Sequence, residues 1–149
     1  MARRFAQVLF LIIAVTIIAF AQTEGVPAYH STPPPKGANL PPIVPQMLRY
    51  GPTYSEKYQQ VAYNVAQKIP NVLYQLPCYC YCDRIGHKSL RTCFESNHAA
   101  HCATCLQEAY YAYFQTKAGK SVKQIREEVN RGAFKTIDLN DAAERASKM

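Results

Sequence analysis

One short window holds all six cysteines of this 149-residue chain. It runs from Cys78 to Cys105 and also contains three of the four histidines. Thiol and imidazole ligands crowded this closely are typical of a metal site or, in an exported chain, of a disulfide framework. Either one would cross-link the chain, which a small domain needs because a small hydrophobic core alone gives little stability.

The first 21 residues have the pattern of a secretory signal peptide. Arg3 and Arg4 precede an uncharged apolar run over residues 5–20, and Ala19-Phe20-Ala21 supplies the small residues of a cleavage site. The run is short for a bilayer span, which needs about 20 residues. We therefore predict cleavage after Ala21 and no stable membrane span afterwards, with an uncleaved anchor as the alternative. The expected location is the periplasm or the extracellular space, where disulfides are admissible.

Three further segments follow the leader. Residues 22–52 contain eight prolines, which lack an amide donor and fix φ, so this segment is predicted to be a disordered, extended linker. The folded domain is predicted over residues 53–135. A polar tail over residues 136–149, with one weak helical turn after Asp138, completes the chain.

Helical periods dominate the predicted domain. Thr53 and Glu56 fit a capping box ahead of an apolar stripe that ends at Pro70. Ser121 and Gln124 repeat the capping-box pattern before a later amphipathic helix. We find no strand pattern, so we predict an all-α fold, a small helical domain with a central Cys/His-rich loop stapled by metal or by disulfides. The expected helical segments are residues 53–69, 71–76, 89–94, 97–117 and 121–132.

The cysteine window divides into two predicted halves. Cys78, Cys80 and Cys82 alternate with other residues, and alternate residues of an extended chain face the same side. The segment H-x-x-H-C-x-x-C over residues 98–105 has the spacing that places all four ligands on one side of a helix. The candidate metal ligands are Cys78, Cys80, Cys82, Cys93, Cys102, Cys105, His87, His98 and His101.

These ligand types predict copper(I) or zinc as the bound metal. Four ligands complete a zinc site, so nine candidates exceed the needs of one ion. Either two ions bind, or some candidates support the ligands from outside, or several copper(I) ions share bridging thiolates. The expected function is an exported metal-binding protein for sequestration, delivery or structural stabilisation.

The alternative is a disulfide-stapled interaction module at the cell surface, without metal. Neighbours in the C-x-C-x-C row are poorly placed to pair with each other. Three bridges would therefore join Cys78, Cys80 and Cys82 to the three later cysteines in some order. This alternative gives no reason for the histidines to share the window, and for that reason metal is favoured.

Other function classes find little support in the chain. Cys102-x-x-Cys105 is followed by Leu106 rather than histidine, unlike a c-type haem attachment site. No hydrolytic triad pattern is present and no catalytic residue is predicted, although thiol transfer stays open because metal-type thiols are also reactive. No nucleic-acid partner is expected, because the basic residues over 117–135 are interrupted by acids. The expected partners are a metal ion and a metal-trafficking or cell-surface protein.

Three segments carry a resemblance to a known family. They read I-P-N-V-L-Y-Q-L-P-C-Y-C-Y-C-D, G-H-K-S-L-R-T-C-F and H-A-A-H-C-A-T-C-L-Q-E-A, and they span about residues 58 to 115. They resemble the exported bacterial proteins named for a PCYCGC motif, a functionally uncharacterised family. The resemblance implies bacterial origin and a recurring cysteine arrangement, without a reaction or a ligand. Tyr81 stands where the motif has glycine, which predicts a less tightly turned loop. Members of the family are often lipid-anchored, but no cysteine follows the apolar run here.

Overall fold

The computed structural model describes residues 25–149, and this part of the chain contains six α-helices and no strand. The all-α prediction is therefore confirmed for the described residues. The helices are α1 Lys57–Lys68, α2 Pro70–Tyr74, α3 Leu90–Cys93, α4 Ala103–Lys117, α5 Val122–Asn130 and α6 Leu139–Ser147. Short 3-10 turns lie at Gln46–Leu48, Pro52–Tyr54, Cys82–Ile85, Asn97–His101 and Ala133–Thr136.

The predicted signal peptide lies outside the described residues, as do the first residues of the predicted linker. Between residues 25 and 149, none of the helices combines the length and the apolar character that a membrane crossing requires.

The first helix begins three residues later than its sequence pattern predicts. Glu56, not Thr53, is the N-cap residue, and it forms a capping box with Gln59. The backbone amide of Glu56 donates to Gln59 Oε1 at 2.9 Å. Thr53 lies in the preceding 3-10 turn. Pro70 separates α1 from α2 as predicted, because it is tolerated at a first helical position but not inside a helix.

An aromatic core lies between α1, α4 and α6. Tyr63, Phe94, Tyr110 and Tyr113 are fully buried, and large aromatic side chains contribute much of the apolar burial in a domain of this size. Their polar atoms are also satisfied. Tyr63 donates its hydroxyl to Ser96 O at 2.6 Å, and Tyr110 donates to Tyr58 O at 2.7 Å.

The C-terminal segment is part of this core rather than a polar tail. Asp138 caps helix α6 by accepting from the amide of Asp141 at 2.9 Å. Ala142, Ala143 and Ala146 are buried, and α6 packs against α1 and α4. The predicted domain boundary at residue 135 is therefore wrong. Alanines give a weak apolar period, so a helix that packs through small side chains resembles a polar segment in the sequence.

The proline-rich segment also belongs to the packed domain over its described part, and the predicted free linker is corrected. Val44 is buried and its amide donates to Phe94 O at 3.0 Å. Arg91 Nη2 donates to Pro41 O at 2.7 Å, and Arg49 Nη1 donates to Gln60 O at 2.7 Å. The prolines remove backbone donors and limit the segment's own backbone pairing to short turns such as Gln46–Leu48. Donors and acceptors of the helical domain therefore also hold it in place.

Candidate metal centre

The loop that carries the first three cysteines is a tight turn. Tyr81 has φ 57°, in the left-handed region, and its amide donates to Cys78 O at 3.0 Å. The chain then forms the 3-10 turn Cys82–Ile85, which ends at Gly86 with φ 97°. The predictions of an extended C-x-C-x-C row and of a looser loop at Tyr81 are both wrong. A residue with a β-carbon pays about 1–2 kcal/mol for a left-handed conformation, and the surrounding turn imposes it on Tyr81 nonetheless.

This turn brings the sulfurs together more closely than an extended row would. Cys80 Sγ lies 3.1 Å from Cys78 Sγ and 2.7 Å from Cys82 Sγ. Cys105 Sγ, from the first turn of α4, lies 3.3 Å from Cys78 Sγ and 3.4 Å from Cys80 Sγ. With Cys93 at the end of α3, the five sulfurs all lie within 4.8 Å of one another.

Two histidines also contact sulfurs of the cluster. His98 Nε2 lies 3.0 Å from Cys82 Sγ, and His87 Nδ1 lies 3.1 Å from Cys93 Sγ. The two imidazole rings meet edge to face, with centroids 4.8 Å apart. The ligand atoms of Cys82, His87, Cys93 and His98 also lie within 4.8 Å of one another. Burial, followed by the neighbouring His98, lowers the pKa of His87, which favours the neutral imidazole that binds metals.

The segment before α4 is not the continuous helix that the H-x-x-H-C-x-x-C spacing predicts. Residues 97–101 form a 3-10 turn whose cap, Ser96 Oγ, accepts from the amide of His98 at 3.2 Å. Cys102 is extended, with φ −128° and ψ 105°, and it is the N-cap residue of α4. The four residues of the H-x-x-H-C-x-x-C segment therefore do not share one face of a helix. Cys105 and His98 reach the cluster, whereas His101 and Cys102 belong to neither group of converging ligands.

The cluster has a closed side and an open side. Cys78, Cys93 and Cys105 are buried against the helical core, whereas Cys80 and Cys102 are partly exposed. On the open side there is a cavity of about 350 Å³. It is lined by Cys80, Tyr81, Cys82, Ile85, His98, His101 and Cys102. The structure therefore places seven of the nine predicted ligands in the cluster and the other two at its rim.

The thiols of the cluster differ in their pKa values. Hydrogen bonds from the thiols of Cys102 and Cys105 lower the pKa of Cys80. The pKa of Cys105 is raised, chiefly by its contacts with Cys102 and Cys78 and further by burial. A thiolate at Cys80 is thus stabilised by its neighbours, and each further thiolate would meet a like charge in a largely buried site.

Glu108 is a buried acid that the sequence patterns do not single out. Its Oε1 accepts from the amide of Tyr79 at 2.7 Å, which fixes the cysteine loop to α4. Its Oε2 is buried without a hydrogen-bond partner among the described residues. Burial raises the pKa of Glu108 to about 8. The available signal was its position three residues after Cys105 on the same helix, which places the two side chains together.

The fold and the cluster define a small helical protein with a Cys/His site that could hold a metal ion. The family model described as "Protein of unknown function with PCYCGC motif" matches residues 44–136. This chain therefore belongs to the PCYCGC-motif family. No curated protein matches the chain, and no solved structure does. The family description names no ligand and no reaction, so the chemistry of the site is the basis for a proposed function.

Proposed function

We propose that this chain is an exported bacterial protein that binds copper(I) or zinc in its Cys/His cluster and sequesters or delivers the metal. The observation that carries the proposal is the convergence of five sulfurs, all within 4.8 Å of one another. A zinc–sulfur bond is about 2.3 Å, so two ligands of one ion lie at most about 4.6 Å apart. The 4.8 Å limit is close to this value, so the sulfurs converge on the scale of a ligand shell.

The ligand types and their charges support the same proposal. Thiolate and imidazole are the ligands that copper(I) and zinc prefer. Binding the metal as thiolates releases protons, and the cation removes the repulsion that otherwise limits ionisation. His87 is kept neutral by burial and by His98, so it requires no deprotonation before it binds.

The open side supports exchange of the metal rather than a purely structural role. Structural zinc sites are closed by four protein ligands. Here Cys80 is only partly buried, and the cavity beside it is also lined by His101 and Cys102, which belong to neither group of converging ligands. A thiol or imidazole of a partner protein could reach the same cavity and take over the ion by ligand exchange. The buried aromatic side chains of α1 and α4 give the fold a further source of stability.

Binding and exchange can be tested on the reduced, purified protein. We expect copper(I) and zinc to bind in competition with a chromophoric chelator, and Cys105→Ser to weaken that binding at least tenfold. His101→Ala is the matched control, because His101 lies at the rim and belongs to neither ligand group. Binding of wild type no tighter than that of an alkylated sample would refute the proposed metal site.

A structural site is distinguished from an exchange site by removing the metal. The proposal predicts that the metal-free, reduced protein keeps its helices by circular dichroism and that chelators extract the metal within minutes. Classical structural zinc domains unfold without metal. Loss of the helices on metal removal would therefore contradict sequestration or delivery and favour a structural role.

Export rests on the leader pattern of residues 1–21. We expect the protein recovered from the periplasm or the culture medium of an expressing bacterium to begin at Gln22. Recovery of the full-length chain from the cell interior alone would remove export from the proposal and leave the metal site untouched.

A further inference from the structure

We infer that the cluster holds two metal ions joined by a bridging thiolate, supplied by Cys82 or Cys93. This inference rests on the proposed metal-binding function. It divides the site into an all-thiolate position and a mixed thiolate–imidazole position, both for a thiophilic ion such as copper(I) or zinc.

The distances separate the ligands into two sets. Cys78, Cys80 and Cys105 form a triangle of sulfurs with sides of 3.1, 3.3 and 3.4 Å. The two imidazoles lie beyond this triangle, each in contact with a different sulfur. The triangle alone has too few ligands for a four-coordinate ion, and so does the imidazole pair. To complete its coordination, each set needs ligands from sulfurs that lie between the triangle and the imidazole pair.

Cys82 and Cys93 are those sulfurs. Cys82 Sγ lies 2.7 Å from Cys80 Sγ on one side and 3.0 Å from His98 Nε2 on the other. Cys93 Sγ contacts His87 Nδ1 at 3.1 Å and is also within 4.8 Å of all three triangle sulfurs. With the imidazoles, Cys82 and Cys93 complete a set of two nitrogens and two sulfurs. With the triangle, either one of them completes a set of four sulfurs.

Charge favours two ions over one. Five thiolates around a single zinc ion would leave three negative charges uncompensated in a largely buried cluster, whereas two zinc ions would leave one. Unpaired buried charge is costly, and bridging thiolates let two cations use the same sulfurs. The two sets also differ in softness. The all-sulfur position is the better site for copper(I), whereas the imidazole-containing position suits zinc.

Native mass spectrometry of the anaerobic, reduced mature chain, titrated separately with zinc and with copper(I), measures the number of ions. We expect two zinc ions per wild-type chain. The double variant His87→Ala/His98→Ala should retain one ion, and Cys78→Ser/Cys105→Ser should retain one ion at the mixed position. His101→Ala, from the same 3-10 turn as His98, is the matched control and should retain two.

X-ray absorption of the zinc-loaded wild type gives a readout that no variant's folding can disturb. Two four-coordinate ions with shared sulfurs predict about three sulfur ligands for each nitrogen. One zinc ion per wild-type chain would overturn the two-ion inference while leaving the proposed metal site intact. No bound zinc or copper(I) in wild type would overturn both.

Discussion

The two ends of helix α4 lie in different environments. Its first two turns carry Cys105 and Glu108 to the Cys/His cluster. There Glu108 Oε2 has no hydrogen-bond partner among the described residues, and the sulfurs of Cys105 and Cys78 lie 3.3 Å apart. Its later turns carry Tyr110 and Tyr113 into an aromatic core, where the Tyr110 hydroxyl is bonded to Tyr58 O. The aromatic end is stabilised by apolar burial, by hydrogen bonds and by cation–π contacts such as that of Lys68 with the Tyr113 ring. At the other end ionisable thiols converge, and the proposed function gives them a cation as partner.

The largest expected effect comes from the core end of the helix. Tyr110→Ala removes a fully buried ring and should lower the free energy of unfolding by about 3–5 kcal/mol. Because Tyr110 is not one of the proposed ligands, the loss should be the same with and without zinc, measured by denaturant unfolding. Tyr110→Phe, which removes only the hydroxyl, is the control and should cost about 1 kcal/mol. A loss that zinc restores would mean that core and cluster are not separate.

Metal removal tests the cluster at the N-terminal end of helix α4. At free zinc 100-fold above the dissociation constant of a site, filling that site should stabilise the wild-type fold by about 2.7 kcal/mol. A chelator should abolish that gain and leave a folded, less stable protein. In Cys78→Ser/Cys105→Ser, which retains only the mixed position, the zinc-dependent gain should be smaller. An identical gain in that variant would show that the thiol triangle contributes nothing to binding.

A smaller effect is expected from pH in the reduced, metal-free protein. Burial, opposed by hydrogen bonds from the Tyr79 amide and the Cys78 thiol, raises the pKa of Glu108 from 4.5 to about 8. The folded chain thus binds this proton more tightly than the unfolded chain, so the free energy of unfolding should fall as the pH rises from 5 to 8. We expect a decrease on the order of 1–3 kcal/mol.

Glu108→Gln is the matched variant for this pH effect. Glutamine keeps an oxygen that can accept from the Tyr79 amide but cannot ionise. Urea unfolding across the same pH range should therefore show a flatter profile than wild type. Equal slopes for the two proteins would assign the pH dependence to other groups.

The smallest effect is expected at Tyr81, which has the left-handed conformation that glycine adopts without strain. Tyr81→Gly restores the residue of the motif's name and should stabilise the metal-free protein by about 1 kcal/mol. Thermal unfolding at fixed pH measures it. Destabilisation instead would show that the contact of the Tyr81 ring with Arg84, at 4.9 Å, outweighs the backbone strain.

The aromatic end of α4 and the outer helices could be predicted from the sequence because their signals are local. The capping box of Ser121 and Gln124 marks the start of α5, and Pro70 separates α1 from α2. Gly132, with φ 78°, follows the end of α5. Helical period and end signals determine such segments through neighbours in the chain.

The cluster could be predicted in composition but not in geometry. Seven of the nine predicted ligands converge, yet the left-handed Tyr81 and the break at Cys102 depend on contacts between distant segments. The sequence does not indicate that Glu108 is buried, because its burial depends on the distant loop that carries Tyr79. The sequence predicts only one weak turn where helix α6 forms, for a similar reason: its buried alanines matter only once α1 lies against them.

The central claim is that the cluster is a metal site rather than a set of disulfides. The most direct measurement is elemental mass spectrometry of the exported protein as purified, paired with a count of free thiols after the metal is removed. The proposal predicts bound copper or zinc and six free thiols per chain. No metal above background, with an intact mass lower by about six hydrogens, would contradict it and identify a disulfide-stapled module instead.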